Sequence, residues 1–105
     1  MGELLDLDDP PTAVFCANNR NAVGAVGEIS TRIASSELAV EDAPVVMSFD
    51  DFELSDVLPF PVSVLKHDPK EMGRAAARLL IERIQGDSQD QDAKTVILPT
   101  TLRHT

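Results

Sequence analysis

The sequence predicts an α/β domain built on a parallel sheet. Three short apolar runs, residues 12–17, 45–49 and 62–67, lie next to proline, asparagine or aspartate, which is typical of strands buried on both faces. Two stretches with apolar residues at helical spacing, about residues 19–34 and 69–85, follow the first and third of these runs. Strand and helix alternate along a chain of 105 residues, which is enough for one small domain with parallel strands.

The first half of the chain has recognisable boundary residues. The segment of residues 1–11 carries leucines that could form the end of a helix. Asn18 or Asn19 is a good N-cap for the first long helix, because a short polar side chain accepts from the orphan N–H groups of the first turn. The predicted buried stripe of this helix consists of Ala22, Val26, Ile29 and Ile33.

The second long helix has the clearest start. Asp68 is the predicted N-cap, Pro69 takes the first helical position and Glu71 falls three residues after the cap. Gly86 can end this helix, and residues 87–94 form a polar loop. Residues 95–105 predict a last strand. Pro99 lacks an N–H group, so it interrupts this strand or confines it to a sheet edge.

The charge balance excludes several kinds of partner. The chain has 18 acidic and 9 basic residues, a net charge of -9. Binding to nucleic acid and to anionic membranes depends on Lys and Arg, so direct contact of this chain with either is disfavoured. No run reaches the roughly 18 apolar residues of a membrane span and no signal peptide is visible, so we expect a cytoplasmic protein.

Catalytic and metal-binding patterns are weak. The single cysteine, Cys16, lies in an apolar run without a nearby base, and we expect a buried thiol that acts as a small hydrophobic group. The sequence has neither the ligand spacing of a metal site nor a phosphate-binding glycine motif. We therefore predict that the protein is not an enzyme and binds neither a cofactor nor a metal. The alternative that stays open is a metal-dependent hydrolase that uses Asp50 or Asp51.

Polar residues follow the ends of the three predicted strands. Asn18, Asp50 and His67 come directly after or at the end of an apolar run, and ligands of parallel sheets bind outside the carboxyl ends of the strands. Adjacent side chains of an extended chain point to opposite sides, so Asp50 is the candidate hydrogen-bond acceptor for a ligand and Asp51 the candidate turn residue. The alternatives stay open: Asn18 only caps its helix, both acids serve the turn or face solvent, and His67 is structural.

Three stretches in fixed order resemble the C-terminal end of LacI/GalR-family transcriptional regulators. They are PTAVFCANNRNAVGA, VVMSFDDFELSDVLPFPVSVLKHDPKEMGRAAARLLIERI and VILPTTLRH. The resemblance implies a three-layer, parallel-sheet α/β lobe of the periplasmic-binding-protein-like type I fold. It also implies that residues 1–105 are the C-terminal lobe of an effector-binding and dimerisation domain, without the DNA-binding headpiece and the N-terminal lobe.

The resemblance implies a function in effector sensing, with a sugar or related small polar metabolite as the effector. Asn18 matches the asparagine of the family's A-N-D motif, and Asp50 matches the first acid of its G-F-D-D motif. His67 stands where the family often has glutamine, and Ser48 replaces the usual glycine. DNA would be bound only through the missing headpiece. The alternative function is that of a transport or chemoreceptor sugar-binding protein of the same fold.

The resemblance also implies a homodimer that forms partly through this lobe. The helix from about residue 19 to 34 and the segment 52–61 are expected at or near its interface. The small-residue stripe of the helix and the apolar residues of the segment supply the surface, namely Val23, Gly24, Gly27, Phe52, Leu54, Val57, Leu58 and Phe60. The alternative is that these residues pack inside one chain.

Overall fold

A computed structural model describes residues 1–86 and 92–104. Its elements are α1 (Gly2–Leu5), β1 (Ala13–Cys16), α2 (Asn19–Ala34), a 3₁₀ turn (Val40–Asp42), β2 (Val45–Phe49), β3 (Val62–Lys66), α3 (Pro69–Gln85) and β4 (Thr101–His104). The three predicted apolar strands and both predicted long helices are confirmed. Residues 87–91, in the predicted polar loop, and residue 105, at the end of the predicted last strand, lie outside the described residues.

The four strands form one sheet in the order β1-β2-β3-β4. β1, β2 and β3 run parallel, while β4 runs antiparallel to β3, with Thr101 opposite Lys66 and His104 opposite Ser63. The α/β fold class is confirmed, but the expectation of an all-parallel sheet is wrong for the last strand. This strand is also shorter than predicted, because Pro99 has no N–H group to donate and regular pairing begins only after it.

The core lies between α2 and one face of the sheet. Ala22, Val26 and Ile29 of the predicted helical stripe are buried against the strand residues Val46 and Val64. Partly buried side chains, Ile33 among them, pack around this cluster. The aliphatic stripe therefore holds α2 on the sheet, since a fully buried valine or isoleucine side chain contributes about 1.5–3 kcal/mol.

Cys16 belongs to this core and is 4% exposed. Burial raises the pKa of its thiol, because the charged thiolate is disfavoured away from water. The prediction of a buried thiol that packs as a small hydrophobic group is confirmed.

The N-terminal segment is held on α2 by Arg32. The guanidinium donates to Glu28 Oε1 at 2.8 Å, to Asp6 Oδ1 at 2.7 Å and to the carbonyl oxygen of Gly2 at 3.2 Å. These contacts join α1 and the turn after it to the last turns of α2. Residues 2–5 are helical, in the segment whose leucines were expected to form the end of a helix.

The chain divides into two compact units, and the second comprises His67–Thr100. In this unit α3 begins as predicted, with the Asp68 carboxylate accepting from the N–H groups of Lys70 and Glu71 at 3.0 and 3.1 Å. Gly86 follows the last helical residue, as expected. Neither α2 nor α3, nor any shorter helix among the described residues, is long and apolar enough to cross a membrane.

Candidate functional site

The carboxyl ends of β1 and β2 lie side by side at one edge of the sheet. Cys16, the last residue of β1, is paired with Ser48 in β2, and the two strands are parallel neighbours. Asn18 and Asp50 each lie two residues beyond this pair. Neighbouring strands are about 4.8 Å apart, so the topology brings these two candidate ligand-binding residues to the same edge of the sheet.

Asn18 is the N-cap of α2. Its backbone is extended and its Oδ1 atom accepts a hydrogen bond from the N–H group of Asn21 at 2.8 Å. The capping role is therefore confirmed, and it engages the carboxamide oxygen. A hydrogen bond from Asn18 to a ligand would come from the carboxamide nitrogen, which can donate two hydrogens. The exposed position of the residue leaves the side chain accessible to solvent.

Asp50 lies in a left-handed turn at the end of β2. Its φ is 75°, a region that few residues other than glycine adopt, and its N–H group donates to the carbonyl oxygen of Leu65 at 2.9 Å. The buried Ser48 hydroxyl donates across this turn to the carbonyl oxygen of Asp50 at 2.8 Å. A left-handed residue costs on the order of 1–3 kcal/mol. One net hydrogen bond contributes about 1 kcal/mol, so the Ser48 bond offsets a sizeable part of that cost.

Asp51 holds the segment that follows. Its Oδ1 atom accepts from the N–H group of Phe52 at 2.9 Å and from the Ser55 hydroxyl at 2.6 Å. These bonds close the turn from within the segment, so the expected role of Asp51 as the turn residue is confirmed. The preceding Asp50 contacts Leu65 and Ser48 through its backbone N–H and carbonyl groups.

Two cations, which the sequence analysis did not identify, complete the surroundings of Asp51. Arg103 of β4 donates through Nη2 to Asp51 Oδ1 at 3.1 Å and also contacts the Ser55 hydroxyl, and Lys66 lies 3.4 Å from Oδ2. The Ser55 hydrogen bond, the Phe52 N–H and these two cations hold the pKa of Asp51 below its ordinary value, against the opposing effect of burial. The carboxylate therefore links the segment after β2 to both β3 and β4.

His67 follows Lys66, the last residue of β3, and belongs to the second unit. It is partly buried, and its predicted role in ligand binding stays a prediction. The other histidine, His104, had no predicted role. Its Nδ1 lies 2.7 Å from the hydroxyl of the buried Ser63, across the antiparallel pair of β3 and β4. This contact joins two strands within the sheet.

The predicted interface residues divide between surface and core. A cleft of about 220 Å³ separates the exposed side of α2 from the segment after β2, and it is lined by Val23, Val26, Gly27, Ser30, Phe52, Glu53, Leu54 and Leu58. Leu54 is 66% exposed, and a Cβ atom built on Gly24 or Gly27 would meet nothing within 4 Å in the described chain. Phe60 is only 3% exposed and packs in the core, so its assignment to the contact surface is corrected.

The described residues hold no group of three or more His, Cys, Asp or Glu side chains that could bind a metal ion. The polar groups at the carboxyl edge are an amide, a carboxylate and backbone atoms of two turns. Such groups exchange hydrogen bonds with a neutral hydroxylated ligand.

The model of the periplasmic binding protein-like domain family matches residues 2–105. The transcriptional repressor CytR of Escherichia coli K12 is 34% identical over 86 residues, which are 82% of this chain and 24% of the repressor. The repressor PurR of Mannheimia succiniciproducens is 36% identical over 84 residues, which are 80% of the chain and 24% of PurR. The ribose operon repressor of Haemophilus influenzae is 32% identical over 98 residues, which are 93% of this chain and 28% of the repressor.

These relatives are bacterial transcriptional repressors of the LacI family, so the resemblance noted in the sequence is confirmed. The chain spans only about a quarter of their length. No solved structure gives a significant match to it. From its match over residues 2–105, the chain belongs to the family of periplasmic binding protein-like domains.

Proposed function

We propose that this chain is the effector-sensing and dimerising part of a LacI/GalR-like DNA-binding transcriptional regulator. The observation that carries the proposal is the family match over residues 2–105, together with repressors from three bacteria as relatives. In this proposal the chain is the C-terminal lobe of the effector domain, and a headpiece outside residues 1–105 binds DNA. The protein acts in the cytoplasm by binding, and it catalyses no reaction.

The proposed effector is a sugar or a related small polar metabolite. The Asp50 carboxylate accepts hydrogen bonds from ligand hydroxyl groups, and the Asn18 carboxamide nitrogen donates to a ligand oxygen. Support comes from their shared position at the carboxyl edge of two adjacent parallel strands. His67, which follows the third strand, is proposed as a further contact from its place in the chain. The name of the Haemophilus influenzae relative, a ribose operon repressor, favours the sugar class.

The proposed mechanism is a shift between two states of the intact regulator. Effector would bridge this lobe and an N-terminal lobe, and it would bind one state of the pair more tightly than the other. Only this difference in affinity can change the occupancy of DNA, because a ligand with equal affinity for both states shifts nothing. The isolated chain supplies half of such a crevice, so it should bind effector weakly.

The proposed dimer partner is a second copy of the chain. The cleft between α2 and the segment after β2 is lined by exposed apolar side chains, including Val23 and Leu54, and Val57 of the same segment is also exposed. The glycine at position 27, with nothing within 4 Å of a built Cβ, permits close approach of another backbone. A two-fold axis near this cleft would bury the exposed leucine and valines of both copies.

The test uses the intact regulator encoded by the gene that contains residues 1–105. Thermal melting is followed with D-ribose, other pentoses, hexoses and nucleosides, and DNA binding is followed by gel shift on the upstream region of its operon. We expect one of these compounds to raise the melting temperature and to change DNA affinity. Asp50→Asn should abolish the thermal shift, whereas Asp42→Asn, the same change at an exposed acid in the 3₁₀ turn, should preserve it.

Two results would contradict the proposal. A secretory signal peptide at the start of the intact protein, without a helix-turn-helix, would assign the chain to the transport or chemoreceptor class. Stoichiometric metal in the purified protein, with hydrolytic activity lost in Asp50→Asn, would assign it to the enzymes.

A further inference from the structure

The backbone at the carboxyl end of β2 has an unusual shape at one residue. Asp50 has a φ of 75° and its N–H group remains bonded to Leu65, so the chain turns sharply without leaving the sheet. The direction of the Asp50 side chain depends on this left-handed conformation. In an extended conformation, which most residues other than glycine prefer at this point, the Cα–Cβ bond would point elsewhere.

A buried hydroxyl group lies under this turn. Ser48 is 0% exposed, and its Oγ donates to the carbonyl oxygen of Asp50 at 2.8 Å, with the carbonyl oxygen of Phe49 farther away at 3.2 Å. A hydroxyl has one hydrogen to donate, so the shorter contact is the main bond. That bond joins residues on either side of Phe49 and spans the left-handed turn at Asp50.

We propose that Ser48 is a positioning residue of the effector site, whose buried hydroxyl holds Asp50 in the left-handed turn and thereby sets the direction of the carboxylate offered to ligand. This proposal rests on the proposed role of Asp50 in effector binding. In the family that the sequence resembles, glycine usually stands at this position. Glycine has no side chain, so only a residue such as Ser48 can donate this hydrogen bond and hold the Asp50 carboxylate in one direction.

The sheet provides a matched comparison for the hydroxyl. Ser63 of β3 is also a buried strand serine, and it lies opposite Met47 in β2, next to Ser48 along that strand. Its hydroxyl bonds to His104 of β4 rather than to the turn. Replacing either serine by alanine removes one buried hydroxyl and keeps the Cβ atom, but only Ser48→Ala removes a contact with residue 50.

The experiment is NMR on the labelled 105-residue chain without ligand, as wild type, Ser48→Ala and Ser63→Ala. A positive φ brings the amide and α hydrogens of one residue unusually close, which gives a strong intraresidue cross-peak for Asp50. We expect Ser48→Ala to weaken this cross-peak and to accelerate exchange of the Asp50 amide about fivefold, or about 1 kcal/mol. Ser63→Ala should leave both measurements at residue 50 unchanged.

An unchanged Asp50 cross-peak and exchange rate in Ser48→Ala would overturn the proposal, as would equal effects of the two alanine variants. Should Ser48→Ala fail to fold, Ser48→Cys fills the site with a weaker donor, and the same change at Asp50 is expected from it. No effector enters this experiment. Its failure is thus distinct from failure of the proposed function, which the thermal shift of Asp50→Asn reports.

Discussion

Replacement of Asp51 by alanine should lower the free energy of unfolding, and the contacts of the carboxylate set the size of the loss. The Phe52 N–H and the Ser55 hydroxyl are neutral donors worth about 1 kcal/mol each, and the charged Arg103 contributes about 1.5 kcal/mol. The ion pair with Lys66 adds little, because exposed pairs contribute about 0–1 kcal/mol. The carboxylate is 33% exposed, so water replaces part of these interactions and we expect a loss of about 2–3 kcal/mol.

The measurement is unfolding in urea followed by far-ultraviolet circular dichroism, since the chain has neither Trp nor Tyr to report by fluorescence. A loss of this size corresponds to a melting temperature roughly 10–20 °C lower. Asp56→Ala, at an exposed acid of the same segment, is the control and should change stability by less than about 0.5 kcal/mol. Equal effects of the two substitutions would refute the view that Asp51 organises the turn.

The contribution of the Asp51 carboxylate to stability should depend on pH. Its pKa is lowered in the folded chain, so the unfolded chain binds a proton more readily. The stability that Asp51 contributes is therefore fully present above its ordinary pKa of 3.8 and is lost as the pH falls through the lower, folded value. The difference in stability between wild type and Asp51→Asn should be constant from pH 5 to 7 and should shrink below about pH 4. A difference that grows on acidification would contradict this assignment.

Four further predictions concern other parts of the chain. Ile29→Ala, at a fully buried position of α2, should cost about 3 kcal/mol in urea unfolding, and a loss below about 1 kcal/mol would contradict the assigned core. Leu54→Asp should convert the proposed dimer to monomers in light scattering at an unchanged melting temperature; a dimer that persists would remove the cleft from the proposed interface. Arg32→Ala should speed proteolysis within residues 1–12, whereas equal cleavage rates would show that Arg32 does not hold this segment. Cys16 should react with a thiol reagent only as fast as the chain unfolds, and rapid labelling of the folded chain would refute its burial.

The elements that were predictable from the sequence are those whose signals are local. Asp68 followed by Pro69 marks the start of α3 within three residues of chain, and Asn18 marks the start of α2 in the same way. The stripe that includes Ala22 and Ile29 repeats at helical spacing, so its burial followed from periodicity alone. The turn role of Asp51 was expected from the alternation of side chains along an extended chain, although the structure places Asp50 in a left-handed conformation.

The parts that were not predictable depend on long-range pairing. The direction of β4 is set by how the chain returns to the sheet after Pro99, and no local pattern in residues 101–104 encodes it. Because that direction was unknown, Arg103 had no assigned neighbour, and its pairing with Asp51 was not foreseen. Phe60 was assigned to the contact surface because the resemblance implies an interface at segment 52–61, whereas the structure buries this ring in the core.

The antiparallel position of β4 has a consequence for the order of folding. Arg103 and Asp51 are 52 residues apart in sequence, whereas paired residues of β1 and β2, such as Ala13 and Val45, are 32 apart. Closing the longer loop costs more entropy, so we expect the β1–α2–β2 unit to form early and β4 to dock late. Substitution of Arg103 should then accelerate unfolding and leave the rate of folding almost unchanged. Undocking of β4 would then be the step that limits the rate of unfolding, and so the lifetime of the native state.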